Sequence, residues 1–163
     1  MRVAGLRVKI ERIEIGPVVA KAGNLEIVKS DSDVIQIYLS LENEFDAPID
    51  YVSWYGNEFQ VGERTVHAQL SAGDVALPML VFEDAAGIYG HTPMATIHPK
   101  ATIQDSIVFD LPAGDAVRQG PWRLELPQAA FGYPASLGFE LDERLVRKSS
   151  LLGTPGSAFE RTP

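Results

Sequence analysis

The chain has 163 residues, of which 45% are hydrophobic, and a formal net charge of −8. A length of this order suits one domain with a buried core. The 14 Lys and Arg residues are scattered along the chain, which argues against nucleic acid as a partner because phosphates need clustered cations. The absence of cysteine excludes disulfides, thiolate catalysis and Cys-ligated zinc.

The apolar runs near the N-terminus are short. Charged residues interrupt them throughout residues 1–10, so this segment has neither a signal-peptide core nor a membrane-spanning stretch. We therefore expect no direct membrane insertion. The chain is predicted to be cytoplasmic as written, or a domain cut from a longer exported protein.

The first strand is predicted to be irregular. Leu6, Val8 and Ile10 share one parity, whereas Ile13 and Ile15 take the other. Because side chains alternate between the two faces of a strand, a slip of one residue within a strand indicates a β-bulge.

Residues 33–55 are expected to form the centre of the fold. Apolar and polar residues alternate over 35–41, which predicts a half-buried strand. A turn-rich corner follows, and a second strand over 49–55 carries Trp54. This order is typical of the core of a β-sandwich.

Further strands are predicted later in the chain. Residues 77–82 are apolar almost without a break, as expected for a strand covered on both faces. The strand over 102–111 places Asp105 on its apolar face, and shorter alternating runs follow at 122–126 and 137–141.

Short strands between turn signals, without a long amphipathic helix, predict an all-β fold. We expect an immunoglobulin-like antiparallel β-sandwich of about seven to nine strands. The sandwich is predicted to occupy residues 1–142. Residues 143–163 are predicted to form a short helical turn and a C-terminal tail that is either flexible or docked on a partner.

The core-pattern segments resemble a known group of domains. They are Ile-Tyr-Leu-Ser-Leu-Glu-Asn (37–43), Ile-Asp-Tyr-Val-Ser-Trp (49–54), Asp-Ser-Ile-Val-Phe (105–109) and Trp-Arg-Leu-Glu-Leu-Pro (122–127). They are similar to immunoglobulin-like β-sandwich domains of uncharacterised, envelope-linked bacterial proteins of the planctomycete type. The resemblance implies a fold and carries no chemistry with it.

Two sets of residues are candidates for metal binding. His67, His91 and His98 have no His-x-His or His-x-x-x-His spacing, which favours ordinary loop histidines over a three-histidine site. Asp46 and Asp50 lie in an acidic corner that could bind Ca²⁺, although solvated turn residues are the default. No metal site and no cofactor is predicted.

Asp105 is the unusual carboxylate, because an inward acid needs partners. Such a group can mark a functional site, but more often it bonds backbone amides of a neighbouring loop, and we favour the structural role. No second carboxylate lies at a catalytic spacing, and no serine has a nucleophile-elbow context. The chain is therefore predicted not to be an enzyme.

The aromatic residues allow a sugar-stacking surface. Trp54 and Trp122 fit the strand pattern and are expected in the core. Tyr55 and Tyr133 are the better surface candidates for binding a ligand.

The C-terminal tail offers apolar anchors in a Gly/Pro/Ser-rich setting. Leu151, Leu152 and Phe159 could dock on a partner, and plain disorder is the alternative. The sequence thus predicts a non-catalytic structural or protein-interaction domain, a subunit or accessory module of a larger assembly with a protein partner or with itself. The alternatives are a ligand-binding module for carbohydrate or Ca²⁺, and a viral or shell surface (decoration) component.

Overall fold

The computed structural model describes residues 2–3, 5–22, 27–82, 85–111 and 121–148. Within these ranges, no helix is long and apolar enough to cross a membrane.

Sixteen strands and two short 3₁₀-helices make up the regular structure of the described ranges. The strands are β1 (Arg2–Val3), β2 (Leu6–Gly16), β3 (Val19–Ala22), β4 (Ile27–Lys29), β5 (Val34–Asn43), β6 (Ile49–Val52), β7 (Phe59–Val61), β8 (Arg64–Val66), β9 (Gln69–Ala72), β10 (Val75–Leu77), β11 (Ala85–Ile88), β12 (Met94–Ile97), β13 (Thr102–Asp110), β14 (Trp122–Pro127), β15 (Ser136–Leu141) and β16 (Val146–Lys148). The 3₁₀-helices span Gln128–Phe131 and Glu143–Leu145.

Two sheets supply most of the core. The main sheet has the order β1-β2-β5-β13, with β16 added in parallel to β2. The second sheet has the order β10-β9-β14-β15 and is antiparallel throughout. Smaller ribbons of β3, β4 and β11, of β6 and β12, and of β7 and β8 complete the described fold. The predicted all-β antiparallel sandwich is confirmed.

The inward-facing side chains of the two sheets form one hydrophobic core. Its fully buried members include Ile13, Ile35, Ile37, Leu39, Leu41, Leu70, Ile107, Phe109 and Leu124. Burying each such side chain contributes about 1.5–3 kcal/mol, which makes this alternation the main source of stability.

The predicted bulge in β2 is present. The register between β2 and β5 shifts between Ile10 and Arg12, so Ile10 and Ile13 both reach the core. At the other end of the chain, β16 pairs with β2, which extends the sandwich beyond the predicted boundary at residue 142.

Two expectations about strands are wrong. β5 is buried on both faces and not on one, since Gln36 and Ser40 are also buried. The predicted strand over 77–82 is broken: β10 ends at Leu77, and Val81 is 47% exposed. The outer face of β5 is covered because Gln36 bonds Tyr89 and Ser40 bonds Glu11. The segment after β10 leaves the second sheet and pairs with β13, where the N–H of Leu80 donates to the carbonyl oxygen of Val108.

Residues 89–92 wrap around the free edge of β13. On the outer face, Gln36 Nε2 donates to the carbonyl oxygen of Tyr89 at 3.0 Å. Past the edge, the backbone N–H of Thr92 donates to the inward-facing Asp105 at 2.9 Å. Sheet edges left open invite unwanted pairing, and this wrap closes one of them.

Candidate functional site

Asp105 is the centre of the candidate site. It lies opposite Leu39 in the ladder between β13 and β5, on the core side of the main sheet. Its side chain is completely buried. A carboxylate in that position is tolerated only if donors replace its lost water.

Five donors surround the Asp105 carboxylate. Oδ1 accepts from His91 Nδ1 at 3.0 Å, from the Thr92 backbone N–H at 2.9 Å and from the Ser106 backbone N–H at 2.7 Å. Oδ2 accepts from Ser53 Oγ at 2.6 Å and from the Tyr51 hydroxyl. Because a carboxylate oxygen accepts, His91 Nδ1 carries the hydrogen in this contact. We call Tyr51, Ser53, His91, Thr92 and Asp105 the Asp105 cluster.

Tyr51 is held in its protonated, donating form. Burial raises its pKa well above the usual value of 10.0, and the nearby charge of Asp105 adds to the shift. The ring also belongs to an aromatic group, with centroids 5.3 Å from Trp54 and 5.2 Å from Phe131. The cluster is thus continuous with the hydrophobic core.

The Asp105 cluster contains Ser, His and Asp but is not arranged as a catalytic triad. In a triad the serine and the aspartate contact opposite nitrogens of the imidazole. Here Ser53 Oγ lies 3.3 Å from His91 Nδ1, the same nitrogen that faces Asp105. Ser53 donates its hydroxyl hydrogen directly to Asp105 and accepts from the backbone N–H of Tyr55 at 3.0 Å.

Access also argues against catalysis at this position. Ser53 and Asp105 are both fully buried, and the His91 side chain is 11% exposed. A nucleophile must reach its substrate, and no described surface opens onto the Ser53 hydroxyl. The hydrogen bonds of the Asp105 cluster connect the end of β6, residues 89–92 and β13.

Part of this cluster is predictable from the sequence. Asp105 does point inward and does bond a loop amide, that of Thr92, as expected. The side-chain donors were missed, although Tyr51 and Ser53 share the inward parity of Ile49 on the predicted strand. His91 is predicted to be an ordinary loop histidine, and its bond to Asp105 was not foreseen.

The two tryptophans are in the core, as predicted. Trp54 is fully buried and Trp122 is 3% exposed. Trp54 Nε1 donates to the carbonyl oxygen of Pro127 at 2.8 Å. This bond satisfies the indole and links β14 to the segment after β6.

The predicted exposure of Tyr55 is wrong. Tyr55 is 8% exposed, and its ring packs edge-on against His91 with centroids 5.1 Å apart. Its hydroxyl accepts from the backbone N–H of Phe82 at 3.2 Å. The chain turns after Val52, the last residue of β6, so strand alternation no longer applies to Tyr55.

Tyr133 does lie at the surface, where it is 44% exposed. It borders a cleft of about 330 Å³ between the β7–β8 hairpin and the first 3₁₀-helix. The cleft is lined by Gln60, Val61, Gly62, Ala129, Gly132, Tyr133 and Pro134. We call it the Tyr133 cleft.

The acidic corner is engaged in local contacts. Asp50 Oδ1 accepts from Thr96 Oγ1 at 2.8 Å, and Asp46 Oδ1 lies 3.3 Å from Lys100 Nζ. In the part of the chain that the structure describes, no three His, Cys, Asp or Glu side chains are grouped to hold a metal ion. The predicted partner-binding residues Leu151, Leu152 and Phe159 lie outside the described residues.

Together the fold and the cluster define a β-sandwich domain in which a buried carboxylate network holds three of the described segments together. No protein-family model matches the chain, and no curated protein matches it. Similarity is found only among solved structures.

The protein yjhA from Bacillus subtilis has a TM-score of 0.54 at 11% identity, and the alignment covers 87% of this chain and 95% of that one. An uncharacterised β-sandwich protein from Clostridium difficile has a TM-score of 0.46 at 14% identity over 87% and 89%. The protein ycdA from B. subtilis has a TM-score of 0.48 at 15% identity over 86% of this chain and 38% of that one. These likenesses concern the fold. The envelope-linked, planctomycete-type part of the resemblance stays a prediction.

Proposed function

We propose that this chain is a non-catalytic β-sandwich domain that acts through protein–protein contacts, as a subunit or accessory module of a larger assembly. One observation carries the proposal: Ser53 and Asp105 are fully buried, the His91 side chain is 11% exposed, and the three side chains are bonded to one another. These are the residue types that hydrolysis would need. In this domain they bond one another, and Ser53 and Asp105 are too deeply buried to reach a substrate.

Exposed apolar side chains support a role in protein contacts. Tyr89 is 72% exposed and Met94 is 73% exposed. Val52, 38% exposed, lies directly opposite Met94 in the ladder between β6 and β12. Aromatic residues and methionine are enriched at protein interfaces.

A serine-directed fluorophosphonate probe tests the non-catalytic part of the proposal. The folded wild-type protein is incubated with the probe, and the modified peptides are identified by mass spectrometry. We expect no modification of Ser53, because its hydroxyl is buried and bonded to Asp105. Stoichiometric labelling of Ser53 that requires His91, and is lost in His91→Gln, would contradict the proposal.

The Tyr133 cleft supports a second candidate, a carbohydrate-binding module. An exposed aromatic ring stacks on the apolar face of a sugar, and amide side chains such as Gln60 bond its hydroxyls. The glycines lining the cleft leave room beside the ring, since a Cβ atom on Gly62 or Gly132 would meet nothing within 4 Å.

A glycan array tests this second candidate. Tyr133→Ala should abolish any binding of wild-type protein, whereas Tyr89→Ala, which removes an equally large exposed ring elsewhere, should leave it unchanged. Absence of wild-type binding to every glycan, or equal binding by both variants, would reject the Tyr133 cleft as a sugar site.

The specific part of the resemblance, to immunoglobulin-like and envelope-linked domains, is also part of the proposal. An immunoglobulin-like, envelope-linked domain would place the assembly at the cell surface. Fractionation of the native cells with an antibody against this domain tests the location. Recovery in the envelope fraction is the expected result, and recovery in the soluble cytoplasmic fraction alone would reject the envelope link.

A further inference from the structure

β15 forms an open edge of the second sheet. It pairs with β14 on one side, and no strand in the described ranges pairs with its other side. The edges of the main sheet, in contrast, are paired, interrupted or covered. β1 and β16 pair with the two ends of β2, charged Lys9 and Glu11 and a bulge interrupt the stretch between them, and residues 89–92 wrap around the edge of β13. β15 has one charged residue, Glu140, but it pairs with β14 without a bulge, and residues 136, 138 and 140 are exposed, so its outer edge is open to strand pairing.

The backbone of β15 presents alternate residues to that open edge. Just beyond the ladder, the N–H of Gln128 donates to the carbonyl oxygen of Ala135 at 2.7 Å. Hydrogen-bonded pairs alternate in an antiparallel ladder, so residues 137, 139 and 141 turn their N–H and C=O groups toward β14. The groups of Ser136, Gly138 and Glu140 therefore point away from it.

The same edge is self-complementary in one antiparallel register. If two copies pair about Phe139, then Gly138 faces Glu140 of the second copy, and both residues present free backbone groups. Leu137 then faces the second copy's Leu141, and the two Phe139 side chains meet on the core face. Phe139 is only partly buried in one copy, so this pairing would cover it further.

Charge favours this register over a shift by two residues, because a shift by one would set outward backbone groups against inward ones and form no ladder bonds. Arg123 Nη2, which pairs with Glu125 Oε1 at 2.9 Å, would also lie 3.8 Å from a Cβ atom on Gly138, so the guanidinium is beside that glycine. In the register centred on Phe139, Glu140 of the second copy arrives beside the same guanidinium. Each two-fold-related contact thus gains an opposite-charge pair across the strands.

We propose that β15 pairs with β15 of a second copy, so that the two four-stranded sheets become one continuous eight-stranded sheet. The partner in the assembly role proposed above is, in this case, the chain itself, and the inference rests on that role. Two-fold pairing is the commonest form of closed self-association. The fluorophosphonate result does not depend on the pairing of β15, so the two proposals can fail separately.

Sedimentation equilibrium of the full chain, from about 1 to about 200 µM, tests the proposal. We expect a mass that rises with concentration toward twice the chain mass of 17.8 kDa. Gly138→Pro removes the outward N–H and should leave a monomer, since an edge strand tolerates proline where its N–H faces solvent. Gly138→Ala keeps the N–H and should still dimerise.

A charge exchange provides the second measurement and remains informative if Gly138→Pro does not fold. Glu140→Arg should weaken the dimer at least about tenfold, and adding Arg123→Glu should restore it. A wild-type monomer throughout the concentration range would overturn the proposal. So would a dimer that Glu140→Arg leaves unchanged.

Discussion

The Nδ1 atom of His91 lies 3.0 Å from Oδ1 of Asp105, and Ser53 Oγ lies 3.3 Å from the same nitrogen. This sharing of one nitrogen separates the cluster from a catalytic arrangement built of the same residues. The hydrogen bonds among Ser53, His91 and Asp105 also explain why three polar side chains lie together, because the two donors replace water around the carboxylate. The cluster joins segments from residues 51, 91 and 105 that are far apart in the chain.

Tyr51→Phe is expected to destabilise the protein by about 1–3 kcal/mol. The change removes one of the two donors to Oδ2 and leaves the ring in its aromatic group. Urea unfolding of wild type and variant measures the difference.

Tyr133→Phe is the matched control for Tyr51→Phe, because it deletes the same hydroxyl from an exposed ring. It should change the free energy of unfolding by less than about 0.5 kcal/mol. Equal losses in the two variants would show that the hydroxyl of Tyr51 has no special role.

Gly90→Ala should cost more stability than Gly62→Ala. Both glycines have positive φ, 81° and 62°, so both variants suffer backbone strain of about 1–2 kcal/mol. Only at Gly90 would the new Cβ also meet a side chain, Tyr38 Cε1 at 3.1 Å. The Tyr38 ring cannot easily yield, because the Arg12 guanidinium stacks 3.5 Å from its centre.

Thermal or urea unfolding of these two glycine variants isolates the steric part of the loss. The difference between them is expected to be about 1 kcal/mol or more. If Gly62→Ala lowered the free energy of unfolding as much as Gly90→Ala or more, residues 89–92 would not be packed tightly against Tyr38.

Stability should fall in strongly alkaline solution. Burial and the charge of Glu14 raise the pKa of Tyr38 from 10.0 to about 12, and the pKa of Tyr51 is raised as well. Between pH 10 and about 12 the unfolded chain therefore loses protons that the folded chain keeps. Proton release then favours unfolding, so stability decreases as the pH rises through this window.

Urea unfolding at about pH 9 and about pH 11.5 measures the alkaline decrease. Tyr38→Phe removes one of the titrating groups and should make the decrease smaller by about 2 kcal/mol. A decrease of the same size in wild type and variant would contradict the assigned role of Tyr38.

Local alternation was enough to predict much of the fold. The parity slip after Ile10 located the bulge, and the run through Asp105 placed that carboxylate on the inner face. Both follow from neighbouring residues, because the side chains of a strand alternate whatever lies beyond it.

Contacts between distant segments could not be predicted in this way. Nothing local indicates that residues 89–92 cover Gln36 and Tyr38, so β5 looked half-buried. Tyr55 looked exposed because it follows Trp54, which was assigned to the core; the chain leaves β6 after Val52, so Trp54 and Tyr55 are both buried. The partners of Asp105 are brought together by tertiary structure, and the sequence indicated only that partners were needed.

The free energy of unfolding of Asp105→Asn tests the central claim most directly. The amide would present an N–H₂ group to donors that now bond a carboxylate oxygen, so buried hydrogen bonds are lost. We predict a loss of at least about 2 kcal/mol, against less than about 0.5 kcal/mol for the surface control Asp50→Asn. Catalytic residues are often replaced without loss of stability, or with a gain. An Asp105→Asn variant as stable as wild type would therefore contradict the structural role assigned to this cluster.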